Sequence, residues 1–575
     1  MGSTTQRVNP PYHAATQIEK KTAFQYTCPM ASRGFQKIGL WSLILGWCCT
    51  MGEAQVSFVA TDALRSEWIS PRARTAYADY DNDGDLDFFS PLGPNSSDQN
   101  KLGVFRRKDG DFYTDITLSS GLTVLDVLFT NDAVWLDYDS DGRLDFYAAS
   151  YLKGPLPGDL VASGKRAVHP DMRNRLYRNQ GSDRFADTTA ETGLDIAFDP
   201  VGGGSSGGLA SADFDNDGWS DLYVVANGQG KAHLLQNLSG VHFVEIARTA
   251  LERADEQRQA VALGDVDSDG FVDVFHTSGA GETQRIHLFN RLTLNDLNDA
   301  ATDAGLVGFE GPLESAQLGD VDNDGDVDLV AAANPPLWLN NGDGIFHPEA
   351  AGLTVKGSRV YIGDSDGDGF QDVYFLAGES VLFRNQANRH HWLRVKLVGA
   401  DTNRNGIGAV VLAHQGGRLQ MRQIQTGRGF VQDELIAHFG LGNDTALEKL
   451  EVVWPSGQID EFAAVAGDRT ICVYEGQAEY QVVAVSLDDN LTLLQNRPNP
   501  FVESTAIHFA LPERHAVTLD IYDVLGQHVE RLVEETLAAG AHRVEWSGEG
   551  LAAGVYCYRL RAGTQTETRK LLLLR

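Results

Sequence analysis

Basic residues are scarce in this chain. Lys and Arg number 47 against 79 Asp and Glu in 575 residues, a formal net charge of −32. That deficit excludes a general nucleic-acid binder, which needs a basic footprint to displace phosphate counterions. It also excludes adhesion to anionic lipid through basic patches. Cysteine is scarce too. Of Cys28, Cys48, Cys49, Cys472 and Cys557, three precede residue 55 and the other two fall in different predicted domains, so no disulfide scaffold is expected. No apolar run is long enough to span a bilayer core, which takes roughly 20 residues in a helix. A nucleophile elbow, an HExxH zinc helix, a P-loop and a Rossmann glycine fingerprint are all missing. What remains is ordinary globular composition, 42% hydrophobic and 22% charged, with 60 glycines that point to many tight turns and hence to β-structure.

The acid is concentrated. Residues 55–389 carry a net −29, and the flanks carry little. The front end reads as a targeting segment. Residues 38–47 (IGLWSLILGW) are apolar, Arg33 and Lys37 precede them, and the small residues Gly52 and Ala54 stand just before Gln55. This is the pattern of a secretory signal peptide cleaved after Ala54, with Met30 as the start that gives a leader of ordinary length. A lipoprotein reading through Cys48 is disfavoured by the bulky Trp47 beside it.

A nine-residue pattern, D-x-D-x-D-G-x-x-D, occurs six times. The aspartates are Asp79, Asp81, Asp83 and Asp87; Asp137, Asp139, Asp141 and Asp145; Asp213, Asp215, Asp217 and Asp221; Asp265, Asp267, Asp269 and Asp273; Asp320, Asp322, Asp324 and Asp328; and Asp364, Asp366, Asp368 and Asp372. Carboxylates at alternate positions of a curled loop can converge on one hard cation, and the invariant sixth-position glycine permits the turn. Position seven varies freely, as it does when only a backbone carbonyl is used. This is the first half of the EF-hand scheme, but no Glu follows at position twelve and position nine runs straight into an apolar strand. Oxygen-only donors favour Ca²⁺ over transition metals. About six ions are expected, with folding coupled to them, because bare carboxylates in one loop repel. The 24 aspartates account for most of the −29, so the acidity reads as coordination sites more than as a solubilising surface.

Each loop is followed by an alternating strand, a Gly/Asn turn and a second short strand, as in RLYRNQGSDRFAD from Arg175 or PLWLNNGDGIFHP from Pro336. The loop starts are 58, 76, 52, 55 and 44 residues apart, blade-sized units with insertions. The repeats resemble the FG-GAP/VCBS type, the calcium-loop repeats of integrin-α-like β-propellers, and GSSGGLASADFDNDGWSDLYVVANG is a close match. QVSFVATDA at 55–63 resembles only a repeat's tail, which implies an N-terminal strand completing the last blade and closing the ring. The expected fold is all-β: a six- to seven-bladed calcium-loop propeller over 55–388, then two smaller β domains.

Residues 389–476 resemble the ASPIC/UnbV domain, through HWL at 391–393, NRNGIGA at 403–409, HFGLG at 438–442 and WPSG at 454–457. The resemblance implies the architecture of the cartilage-acidic-protein-like family. The residues themselves read as a small antiparallel β domain. Its histidines (His390, His391, His414 and His438) are scattered, which fits packing and surface roles better than a metal set. A linker is placed at 477–492. Residues 493–575 resemble the type A C-terminal sorting domain of type IX secretion, through NRPNPF at 496–501, IYD at 521–523, Gly526 and GVY at 554–556. The implied fold is an immunoglobulin-like β-sandwich, and the implied partner is the type IX machinery of the outer membrane.

Together these features point to an exported calcium-binding protein, secreted or held at the bacterial cell surface, that recognises an extracellular protein or glycan. It is expected neither to bind nucleic acid nor to keep a transmembrane helix in the mature chain. The locally basic insertion 150–173 is either part of a partner site or a plain mobile loop. The alternative is a polysaccharide lyase or hydrolase on the same scaffold, for which no motif is found.

Overall fold

Short runs of alternating apolar and polar residues, broken by glycine-rich turns, make strands and only strands: no helix occurs among the described residues. The computed structural model describes residues 58–574 apart from 62–75, 85, 91–102, 109–111, 117–118, 123–129, 151–173, 195–204, 228–231, 247–259, 279–284, 290–298, 310–312, 314, 356, 379–380, 387, 428–433, 484–491, 494–495, 497–498, 512–514, 525, 538–539 and 564. All of these fall in one compact unit, Val56–Arg575. The leader and nearly all of the 150–173 insertion lie outside the described residues.

Six successive antiparallel sheets occupy 76–115, 130–187, 205–245, 261–289, 316–348 and 357–385. Each is a meander in chain order. The fourth has three strands among the described residues, and the sixth takes its fourth strand from Phe58–Thr61, whose Phe58 lies opposite Asn385. The strand that begins the chain's described part thus finishes its last repeat and brings that sheet to four strands. No seventh sheet of this kind occurs among the described residues. The first strands stand side by side: Ala76–Ala78 against Thr130–Leu136, then Ser205–Ala212, Val261–Gly264, Ala316–Gly319 and Gly357–Gly363. This order fits a β-propeller.

Apolar faces of neighbouring sheets fill the space between them. Val134, Leu136, Tyr147 and Leu176 of the second sheet meet Leu209, Leu222, Val224 and Leu235 of the third. Each such side chain contributes roughly 1.5–3 kcal/mol of burial. Every aspartate loop is the hairpin between the first and second strands of its sheet, with position nine opening the second strand. The register pairs Leu136 with Asp145, Ala212 with Asp221 and Gly319 with Asp328.

Residues 391–483 form two further four-stranded sheets. The expected all-antiparallel arrangement is corrected in one place, since His391–Val398 runs parallel to Arg469–Tyr474. A parallel pair needs a long crossover, and here the second sheet, which intervenes in sequence, provides it. The core of these sheets (Leu393, Val411, Leu450, Val473) is continuous with that of the first two sheets (Ala78 and Phe89, then Trp135 and Phe146). Two last sheets, from Thr492–Leu493 to Gln565–Leu573, enclose a core around Trp546, Phe509, Tyr558 and Leu560.

Candidate metal centres

Two left-handed residues curl each loop. Position four has φ of 61° at Asn82, 51° at Ser140, 58° at Asn216, 57° at Ser268, 59° at Asn323 and 73° at Gly367. Position six is always a positive-φ glycine, from 83° at Gly142 to 100° at Gly84. That curl lets the first aspartate fold over its own loop. Asp137 Oδ1 accepts from Asp141 N at 3.0 Å and Oδ2 from Gly142 N at 3.0 Å. Asp213 repeats this with Asp217 N at 3.1 Å and Gly218 N at 2.7 Å, and Asp265 with Asp269 N at 3.0 Å and Gly270 N at 3.1 Å. Position five accepts from the position-seven amide, as in Trp219 N to Asp217 Oδ1 at 2.9 Å.

Ligand atoms gather within 4.8 Å of one another in the groups Asp79/Asp81/Asp87, Asp137/Asp139/Asp145, Asp213/Asp215/Asp221, Asp265/Asp267/Asp269 and Asp320/Asp322/Asp328. Positions one, three and nine therefore converge in most loops, and position five is the more exposed arm, with Asp83, Asp217 and Asp269 all exposed. In the second and third loops the position-three carboxylate is pinned by one oxygen from outside: Arg178 Nη2 lies 2.6 Å from Asp139 Oδ2, and Gln236 Nε2 lies 2.5 Å from Asp215 Oδ2. Their other oxygens, Asp139 Oδ1 and Asp215 Oδ1, and likewise Asp320 Oδ1, are buried without a hydrogen-bond partner. Buried anionic oxygens are ordinarily satisfied. A hard cation is the group that this oxygen-only donor set fits.

Electrostatics agree. Burial, reinforced by the neighbouring carboxylates, pushes Asp137, Asp213 and Asp265 up to about 7 and Asp79 up to about 6. Burial holds Asp145, Asp221 and Asp328 well above the usual carboxylate range. Like charges held this close disfavour ionisation unless a positive charge joins them.

One set of residues has no counterpart in the sequence reading. Asn179, Asn237, Asn340 and Asn385 stand on the third strands. Each receives the position-nine carboxylate on its own amide, for example Asn237 N to Asp221 Oδ1 at 2.7 Å. Each also sends Nδ2 back to the position-two carbonyl of the preceding loop: Tyr80 at 3.0 Å, Tyr138 at 2.8 Å, Val266 at 2.7 Å and Val321 at 2.6 Å. Position-four asparagines reach forward in the same way, from Asn82, Asn216 and Asn323 to the carbonyls of Gly142, Gly270 and Gly369 at 3.1, 2.9 and 3.1 Å. The loops are therefore laced to one another. The only sequence signal was the recurring Asn of RNQ, QNL and LNN, which also reads as an ordinary turn residue.

The four histidines do not assemble. His390 meets the Asp322 carbonyl, His391 meets Asp468, His414 meets Glu451 and His438 meets Asn323. Cys472 and Cys557 are free. In the last unit the NRPNPF stretch is tied down by Asn496 N to the Tyr558 hydroxyl at 2.6 Å and Phe501 N to the Leu572 carbonyl at 3.0 Å.

Known proteins give matching regions. The mouse (Mus musculus) cartilage acidic protein 1 is 29% identical over 339 residues, covering 56% of this chain and 44% of its own length, so the chain spans less than half of that curated relative. An Agrocybe aegerita lectin, described as recognising non-reducing terminal N-acetylglucosamine, is 14% identical over 68% of this chain and 86% of its own, with a TM-score of 0.33. PorZ, a surface component of the Porphyromonas gingivalis type IX secretion system, is 13% identical over 82% and 63%, with a TM-score of 0.21. Both likenesses are too slight to assign a fold. Residues 213–276 and 320–375 match the FG-GAP-like repeat model, 399–480 the ASPIC and UnbV model, and 497–574 the secretion system C-terminal sorting domain. The chain thus carries FG-GAP-like repeats, an ASPIC/UnbV region and a sorting domain that marks it for type IX export, to the cell surface or into the medium.

Proposed function

We propose that this is a calcium-loaded, six-bladed β-propeller protein, exported and then displayed or released, that recognises an extracellular protein or glycan and catalyses no reaction. The observation that carries the calcium reading is the set of buried, partnerless oxygens Asp139 Oδ1, Asp215 Oδ1 and Asp320 Oδ1 within converging carboxylate loops. All 24 loop aspartates belong to these sites, about six ions in all. The repeat spans 55–388 with the closing strand at its start, the ASPIC/UnbV-like domain spans 389–476, a linker runs over 477–492, and the sorting domain over 493–575 is an immunoglobulin-like sandwich. A rigid disc with variable inter-strand loops suits recognition, and the absence of a catalytic motif in the sequence supports binding over chemistry.

The test is a glycan-array and protein-capture screen of the full chain with Ca²⁺ and with chelator. Binding that needs Ca²⁺ and releases no product supports the reading. Release of unsaturated oligosaccharide ends would establish a lyase instead. Among the described residues no helix is long and apolar enough to cross a membrane, so display at the surface rests on the sorting route.

A further inference from the structure

The two sheets of residues 391–483 sit on the aspartate loops. Gly440 N donates to Asp320 Oδ2 at 2.9 Å and Gly442 N to the Asn323 carbonyl at 2.8 Å. His438 Nε2 lies 2.7 Å from Asn323 Oδ1. At the first loop, Arg404 N donates to Asn82 Oδ1 at 2.8 Å, and Asn405 Oδ1 accepts from Asp79 N at 2.7 Å. Gln423 Oε1 accepts from Asp213 N at 3.2 Å in the third loop, and Thr426 Oγ1 accepts from Trp135 N at 2.8 Å just ahead of the second. At the sixth, Arg394 Nη1 lies 3.0 Å from Asp364 Oδ2, both side chains being buried. Trp392 packs on Phe370 of the same loop.

Apart from Thr426 on Trp135 and Trp392 on Phe370, these contacts fall on first-position aspartates and on the position-four residues that curl the loops. From this we infer that residues 391–483 are a cap whose seating is coupled to Ca²⁺ in the loops, an inference that rests on the calcium reading above. Most of the contacts read backbone shape: an amide meeting a carboxylate, or a side-chain oxygen meeting an amide. Without an ion the clustered carboxylates repel and the loop opens, and the acceptors for Gly440, Gly442 and Arg404 move away. Coupling between two equilibria is reciprocal, so a seated cap tightens ion binding by the same factor by which the ions favour seating. Arg394 and Arg404 oppose this locally, since each sets a guanidinium beside a first-position carboxylate; Arg404 Nε is 3.5 Å from Asp79 Oδ2. The sixth and first loops therefore bind Ca²⁺ more weakly than the third, where the contact on the first-position aspartate comes from the neutral Gln423.

Hydrogen exchange on the full chain tests the coupling. The amides of Arg404, Gly440 and Gly442 report seating, and those of Val410–Gln415 and Ala446–Val453 report the cap's own sheets. Chelation is expected to speed the first set at least tenfold and leave the second unchanged; first-set amides that stay protected while the loop amides of Asp83 and Gly84 open would overturn the inference. If chelation exposes every set at once, the double variant Asn405→Ala/Thr426→Val decides. Neither residue contributes a ligand, and calorimetry should show its Ca²⁺ affinity weakened about fivefold or more. An unchanged affinity in that variant overturns the coupling alone. A lack of Ca²⁺ binding by the unaltered chain overturns the calcium reading instead.

Discussion

The side-chain nitrogen of Asn237 reaches 2.8 Å to the carbonyl oxygen of Tyr138, one repeat earlier in the chain. The same nitrogen meets the Ser220 carbonyl at 3.2 Å, while the Asn237 amide binds Asp221, so one fully buried residue joins two sheets and a position-nine ligand. Asn237→Leu keeps the volume and strands both carbonyls. Buried groups left unsatisfied cost about 1–3 kcal/mol each, so for the two carbonyls urea unfolding should show a loss of about 2–6 kcal/mol. A loss below about 0.5 kcal/mol, the usual surface value, would mean the lacing between repeats is idle.

Position-six glycines separate backbone strain from packing. Gly218 has φ of 89° and open space where a Cβ would stand, so Gly218→Ala carries only the left-handed penalty, about 1–2 kcal/mol. At Gly369 an added Cβ would fall 1.7 Å from the Trp392 ring. Gly369→Ala should cost clearly more and should lift the cap as well. Equal losses from the two variants in parallel melts would contradict the seating of Trp392 on the sixth loop.

Asp215 offers a clean removal of one ligand, because its outer oxygen is held by Gln236 and its inner oxygen has no partner. Asp215→Asn should reduce the bound Ca²⁺ by one ion per chain after dialysis, read by elemental analysis. At free Ca²⁺ near 100 times Kd, one lost site removes about 2.7 kcal/mol of stabilisation. An unchanged ion count would remove Asp215 from the ligand set.

Acid should act through His276. Burial holds its imidazole down at about 3, against an ordinary 6.5, with His287 adding to the effect and the Tyr223 hydroxyl 2.8 Å from Nδ1. A depressed histidine leaves the folded state neutral where the unfolded state takes a proton. Its contribution is therefore fully present above about pH 6.5 and falls by about 1.4 kcal/mol per pH unit down to about 3. Between pH 7 and pH 5 in saturating Ca²⁺, the unaltered protein should lose about 2 kcal/mol more than His276→Gln. Equal losses would place His276 in contact with solvent.

Much of the site was legible because its chemistry demands one spacing. Asp137, Asp139 and Asp145 must fall at positions one, three and nine for their oxygens to meet, and that constraint repeats visibly along the chain. The closing strand was legible for the same reason, as a repeat's tail without its head. Asn237 and its equivalents escaped notice because an asparagine near a hairpin is explained by the turn alone. The cap contacts left no local trace: Gly440 and Asp320 are 120 positions apart, and Thr426 and Trp135 are 291 apart, so no periodicity connects them. The parallel pairing of His391–Val398 with Arg469–Tyr474 is invisible in the same way, since strand direction depends on the path of the connection and not on alternation.

The most direct measurement is a Ca²⁺ titration of the full chain by calorimetry, paired with thermal unfolding in Ca²⁺ and in chelator. The account predicts about six ions per chain and a midpoint that rises steeply with free Ca²⁺, each site adding about 2.7 kcal/mol at 100 times its Kd. No binding heat, together with an unfolding midpoint that is the same in Ca²⁺ and in chelator, would contradict it.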